Sequence, residues 1–179
     1  LMCDERLFGP IIKPLKKNYR VHTLVMDRYK SMDEMASFVL NSISGSFHTV
    51  GLSMGGIIAM TLAIKDPSRV KSMILMDTSP HSDSARKQAT RDTQIECISE
   101  TKDLKRLVAE ELKPNYVYNQ LINQHVLHLC MQMALDLGVE VFVNQCLALR
   151  NRQSLMNSLS QINCKTLVLC GEHDTLCPV

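Results

Sequence analysis

Ser53 stands between Gly51 and Gly55 in the stretch "VGLSMGGIIAM" (50–60), and Gly56 follows directly. A serine hydroxyl is a weak nucleophile until a base, an orienting acid and oxyanion donors surround it. The flanking residues say what could position it here. "FHTVGL" (47–52) reads as a strand, and "GGIIAMTLAIKDP" (55–67) reads as a helix stopped by Pro67 with Lys65 in its last turn. A serine at such a sharp strand-to-helix turn has strained backbone and projects its hydroxyl above the carboxyl edge of the sheet. Side chains at Gly51 and Gly55 are expected to collide as the helix packs back on the strand. Gly56, Ala59 and Ala63 continue a small-residue stripe that permits close approach. The turn also aims the helix N-terminus at Ser53, so the Met54 N–H can bind a developing oxyanion. The glycine spacing matches no phosphate-binding loop.

The remaining elements follow the same rhythm. "YRVHTLVMD" (19–27) is a strand candidate, "MDEMASFVLNSI" (32–43) has helical periodicity, and "VKSMILMD" (70–77) and "CKTLVLCG" (164–171) are two further strands. Strands alternating with helices over short connections predict an α/β fold, a mostly parallel sheet with helices on both faces. Residues 80–162 break the rhythm. They hold no convincing strand and read as helices starting near Ser82 or Asp83, then near 102–112, 120–137 and 139–151. That length exceeds one crossover helix, which predicts an inserted all-helical subdomain. The expected division is 1–79 as the first part of the core, 80–162 as insertion plus crossover helix, and 163–179 as the return to the core. Residues 121–149 carry only Asp136 and Glu140 as charges. Helix packing explains this, and one face covering a hydrophobic pocket, with Met131 and Met133 as lining, is compatible with it.

Composition narrows the partners. A net charge of +2 with no gathered basic stretch predicts no nucleic-acid partner. The "KPLKK" at 13–17 reads as a solvated helix end. The seven cysteines lie scattered in apolar stretches without metal or redox spacing, which predicts buried reduced thiols in a reducing, cytoplasmic setting. His125 and His128 could share a helical face but lack a third ligand, so no metal is expected. No signal peptide or transmembrane segment is expected.

The chain resembles the α/β-hydrolase family along nearly its whole length. "GLSMGG" looks like the family's nucleophile turn, with Ser53 as nucleophile. "LVLCGEHDTLCPV" looks like the segment after a later strand, where Gly171-x-x-Asp174 ends in the acid that orients the histidine; Asp77, at the end of strand 70–77, is the alternative acid. "LMCDERLFGPIIKPL" is similar to the loop and first helix after an earlier strand, so the backbone N–H of Leu1, with that of Met2 as the alternative, would be the second oxyanion donor. The helical insertion corresponds to the lid of many members. Where members show a glycine-containing loop after the strand at 19–27, "DRYKS" keeps Asp27 and Ser31 without the glycine.

The resemblance implies a serine hydrolase that cleaves a small hydrophobic carboxylic ester through an acyl-enzyme, without metal or organic cofactor. A thioesterase, acyltransferase or cofactor-free haloperoxidase on the same fold, and a non-catalytic ligand-binding relative, are the alternatives. It places the catalytic histidine after a further helix and strand, roughly 22–32 residues beyond Asp174. None of the histidines at 22, 48, 81, 125, 128 and 173 has that position. His81 reads as a residue at the base of the lid. The resemblance therefore makes the chain a part of a longer hydrolase, and the acyl preference and oligomeric state stay open.

Overall fold

The computed structural model describes residues 1–178. At its centre a three-stranded parallel sheet runs in the order β1 (Phe47–Leu52), β2 (Val70–Met76), β3 (Lys165–Leu169). The helices are α1 (Gly9–Leu15), α2 (Met32–Ser42), α3 (Met54–Lys65), α4 (Ala85–Thr101), α5 (Leu104–Leu107) and α6 (Gln124–Arg150). The pairing register aligns Leu52 with Met76 and Met76 with Leu169. All three strands therefore end level, and the residues just beyond them share one edge of the sheet.

Local chemistry explains the helix bounds. Ser31 caps α2 by accepting from the Glu34 N–H at 3.2 Å, and the Glu34 carboxylate reaches back to the Lys30 N–H at 3.0 Å. This reciprocal pattern satisfies donors that the helix cannot satisfy itself. α3 is apolar nearly all round, with Gly56, Ile57, Ile58, Ala59, Met60, Leu62 and Ala63 buried between α2 and the sheet. Full burial of a side chain such as Leu62 or Met35 stabilises the fold by about 1.5–3 kcal/mol. The small residues let α3 lie close to β1 and β2.

The strand expected over 19–27 does not form. Among the described residues that segment has no ladder partner and β1 pairs with β2 only; a cavity of about 790 Å³ is lined by Val21 to Leu24 and by Phe47 to Leu52. Apolar, β-branched composition disposes a segment to pair, but a strand needs a neighbour whose backbone groups it can meet. Here α6 holds the segment instead. The Gln145 amide donates to Met26 O at 3.0 Å and the Asn144 amide to Asp27 O at 3.4 Å.

Between β2 and β3 the described residues are helical or irregular, with no strand. α4 starts at Ala85 behind an Ser84 cap. α6 breaks at Gly138, whose φ of 83° and ψ of 177° divide it into 124–137 and 139–150. Although α6 has the length and composition to cross a membrane, each piece is shorter than the roughly 20 residues a span needs. The insertion has its own core, with Ile98, Leu107, Val108, Phe142 and Cys146 buried together. Its two ends run side by side. Leu155 N donates to Pro80 O at 2.8 Å, Arg152 Nε donates to His81 O at 2.9 Å, and the buried Asp83 meets Arg91 at 2.5 Å and Arg152 at 3.0 Å. All seven cysteines are free, but the expectation of burial holds only for Cys130 and Cys146; Cys3, Cys164 and Cys177 are half-buried, and Cys97 and Cys170 are exposed. Cys170 directly follows β3, the last strand in the order given above.

Candidate active site

Ser53 occupies the single residue between β1 and α3, with φ 52° and ψ −114°. A non-glycine residue at positive φ stores about 1–3 kcal/mol of strain and persists only where its surroundings over-determine it. They do so here. Ser53 N donates to Met76 O at 2.8 Å, and Ser53 O accepts from Gly56 N at 2.9 Å and from the Thr78 hydroxyl at 2.7 Å. The Ser53 side chain makes no cap hydrogen bond to α3. Met54 is the first residue of α3, so its N–H is one of the donors that no helical carbonyl can reach.

The glycines divide differently from the sequence expectation. A Cβ on Gly51 would stand 2.2 Å from Gly55 O, and one on Gly56 would stand 2.6–2.7 Å from the Thr78 side chain. A Cβ on Gly55 would meet nothing within 4 Å. The collision therefore involves the Gly55 backbone, which Gly51 must clear, while Gly55's own missing side chain faces open space.

The two candidate acids lie together. Asp77 directly follows β2 at φ 44°, and its Oδ1 accepts from Gly171 N at 2.7 Å. Asp174 is held by a local turn, its Oδ1 accepting from Leu176 N at 2.7 Å and Cys177 N at 3.0 Å. A carboxylate oxygen of Asp77, one of Asp174 and Cys170 Sγ all fall within 4.8 Å of one another. Desolvation first, then the two carboxylates, push the Cys170 thiol above its usual range. Level strand ends explain the grouping: Ser53 follows Leu52, Asp77 follows Met76, and Cys170 follows Leu169.

Leu1 and Met2 line the same cavity as Ser53 and Met54. Met2 is 1% exposed at φ 58°, and its N–H donates to Gln145 Oε1 at 2.8 Å. That bond occupies the Met2 donor, so of the two nitrogens considered from sequence only Leu1's remains. Met131 and Met133 do not line this cavity. Met133 is fully buried, with its sulfur accepting from Asp4 N at 3.5 Å, and Met131 packs against the insertion's own core. The near-uncharged stretch reflects helix packing at these two positions. No histidine among the described residues is hydrogen-bonded to Ser53, Asp77 or Asp174; His48 pairs with Ser72 and His173 stacks on Tyr118.

Thr78 and Gln145 escaped the sequence reading. The signal for Gln145 was a polar Asn144–Gln145 pair inside an otherwise apolar helical run. Thr78 gave none.

A strained serine between strand and helix, with carboxylates at the adjacent strand ends, defines a protein of the α/β-hydrolase fold. A sequence model of that fold family matches residues 17–96. A thermophilic esterase from Thermogutta terrifontis superposes with a TM-score of 0.85 at 25% identity, over 98% of this chain and 70% of that one. The enol-lactonase from Burkholderia xenovorans gives 0.81 at 20% identity, over 97% and 70%. Among curated proteins, a pimeloyl-[acyl-carrier protein] methyl ester esterase from Aliivibrio salmonicida is 34% identical over 82 residues, 41% of this chain and 31% of that protein. This chain has the α/β-hydrolase fold. Its match spans about a third of the length of those curated relatives.

Proposed function

We propose that the protein is a serine hydrolase that cleaves a carboxylic ester through an acyl-enzyme, with Ser53 as nucleophile. The observation that carries this reading is the positive φ of Ser53 at the end of β1, level with Asp77. The named activities of the relatives, methyl ester esterase and enol-lactonase, point to an open or cyclic ester. Ser53 Oγ attacks the carbonyl carbon, and a histidine takes its proton and later returns it to the leaving alcohol. Asp174 orients that imidazole and stabilises its cation. Asp77 supports it, because its carboxylate fixes the Gly171 N–H at the start of the turn that bears Asp174. The Met54 and Leu1 N–H groups receive the oxyanion, each such donor being worth about 10²–10³ in turnover. Water then releases the acid.

The insertion at 80–162 acts as a lid closed at its base by Asp83, Arg91 and Arg152. A small hydrophobic ester is the substrate class, and nitrophenyl esters of rising chain length test it on the full-length protein. Hydrolysis that falls at least about 10³-fold in Ser53→Ala is expected. Retention of more than a few per cent of turnover would remove Ser53 from the role.

A further inference from the structure

We propose that Gln145 is a positioning residue, an amide that fixes the Leu1–Met2 peptide and so holds Leu1, with its nitrogen, in place at the oxyanion. This rests on the hydrolase reading of Ser53. Gln145 is 1% exposed on α6, among Phe142, Cys146 and Ala148. An amide so buried must be hydrogen-bonded, and an apolar side chain of the same size would pack there without that demand. Its two bonds go to backbone that no helix or strand satisfies. Oε1 accepts from Met2 N at 2.8 Å and Nε2 donates to Met26 O at 3.0 Å.

The first of these bonds controls a whole peptide plane. Met2 N and Leu1 O belong to one planar unit, and Tyr116 Oη lies 3.5 Å from Leu1 O as donor. Burial pushes the Tyr116 phenol far above its usual range, so it keeps its proton at any working pH. Gln145 and Tyr116 thus hold the plane at both ends against a flip. A displaced plane would carry the Leu1 Cα with it, and so shift the nitrogen bonded to that Cα relative to Ser53. Gln145 touches neither the nucleophile nor the acids in the observed bonds; it acts through the loop.

The test is steady-state kinetics on the full-length protein, with active sites counted by a fluorophosphonate. Gln145→Met keeps the volume and loses both bonds; kcat should fall about 10²-fold with KM changed less than about 2-fold. Gln145→Glu can accept from Met2 N but donates to Met26 O only when protonated. Its kcat relative to wild type should therefore rise as pH falls from about 8 to about 6. Tyr116→Phe reads the other end of the plane and should lower kcat several-fold, which serves if Gln145→Met is insoluble. Variants with lower melting temperature but unchanged kcat and a flat pH ratio would overturn the proposal, leaving a merely structural glutamine. Activity surviving in Ser53→Ala would instead overturn the hydrolase reading beneath it.

Discussion

Gly51 has no room for a side chain, because the carbonyl oxygen of Gly55 would lie 2.2 Å from its Cβ. The contact is backbone, so no rotamer change relieves it. Gly51→Ala should therefore destabilise the protein by about 3 kcal/mol, the upper end for overpacking, and reduce soluble yield. Gly56→Ala should lose less, since Thr78 is a side chain. Gly55→Ala, in open space within a helix, should be neutral or slightly stabilising. Chemical denaturation of the three variants checks the order, and a Gly55→Ala variant as unstable as Gly51→Ala would contradict it.

The turn itself was legible in the residues, but which glycine does what was not. Strand 47–52, the helix after it and Ser53 between them appear where the pattern puts them, because local periodicity and the stop at Pro67 determine them. Strand 19–27 shows the limit: its composition is strand-like, yet pairing depends on a neighbour that composition does not describe. Asp77 and Asp174 read as alternatives in sequence and as neighbours in space, since only the register of β2 with β3 brings them together. Met133 failed as pocket lining because an apolar stretch does not say which of its faces is the core.

Ser53 at φ 52° should gain from becoming glycine. Ser53→Gly removes the Cβ that disfavours this conformation, against some loss of unfolded-state constraint. Its stability should rise by about 1 kcal/mol over wild type while esterase activity is lost. A melting curve of Ser53→Gly at or below that of Ser53→Ala would mean the backbone is not strained there.

Asp83 closes the base of the insertion with side chains nearly free of solvent, 1% exposed for Asp83 and 8% for Arg152. Desolvation already lowers the Arg152 pKa from its usual value. Asp83→Asn leaves two guanidinium groups without their counter-charge, and breaking such a buried pair typically costs about 3–5 kcal/mol. The thermal midpoint should drop by roughly 10 °C. A drop under about 2 °C would show that the base is held by other contacts.

Cys3 has a thiol lowered to about 6, chiefly by its hydrogen bond with Cys130, and Cys146 is pushed up to about 11 by burial. A lowered pKa means the thiolate exists above about pH 6 and is lost below it. Iodoacetamide labelling of Cys3, followed by peptide mass analysis, should rise with a midpoint near pH 6, while Cys146 stays unmodified at pH 8. Cys130→Ala should move the Cys3 midpoint upward. A midpoint near pH 9 for Cys3 in the unsubstituted protein would contradict the contact.

The central claim is that Ser53 is the nucleophile, and a fluorophosphonate probe tests it most directly. Such a reagent reacts irreversibly only with a serine whose proton has a base and whose oxyanion has donors. The full-length protein should carry one phosphonyl group per chain, located on the peptide containing Ser53, with simultaneous loss of ester hydrolysis. Ser53→Ala should remain unlabelled at the same probe concentration while keeping its fold. Stoichiometric labelling at another residue, or no labelling of a protein that hydrolyses esters, would contradict the account.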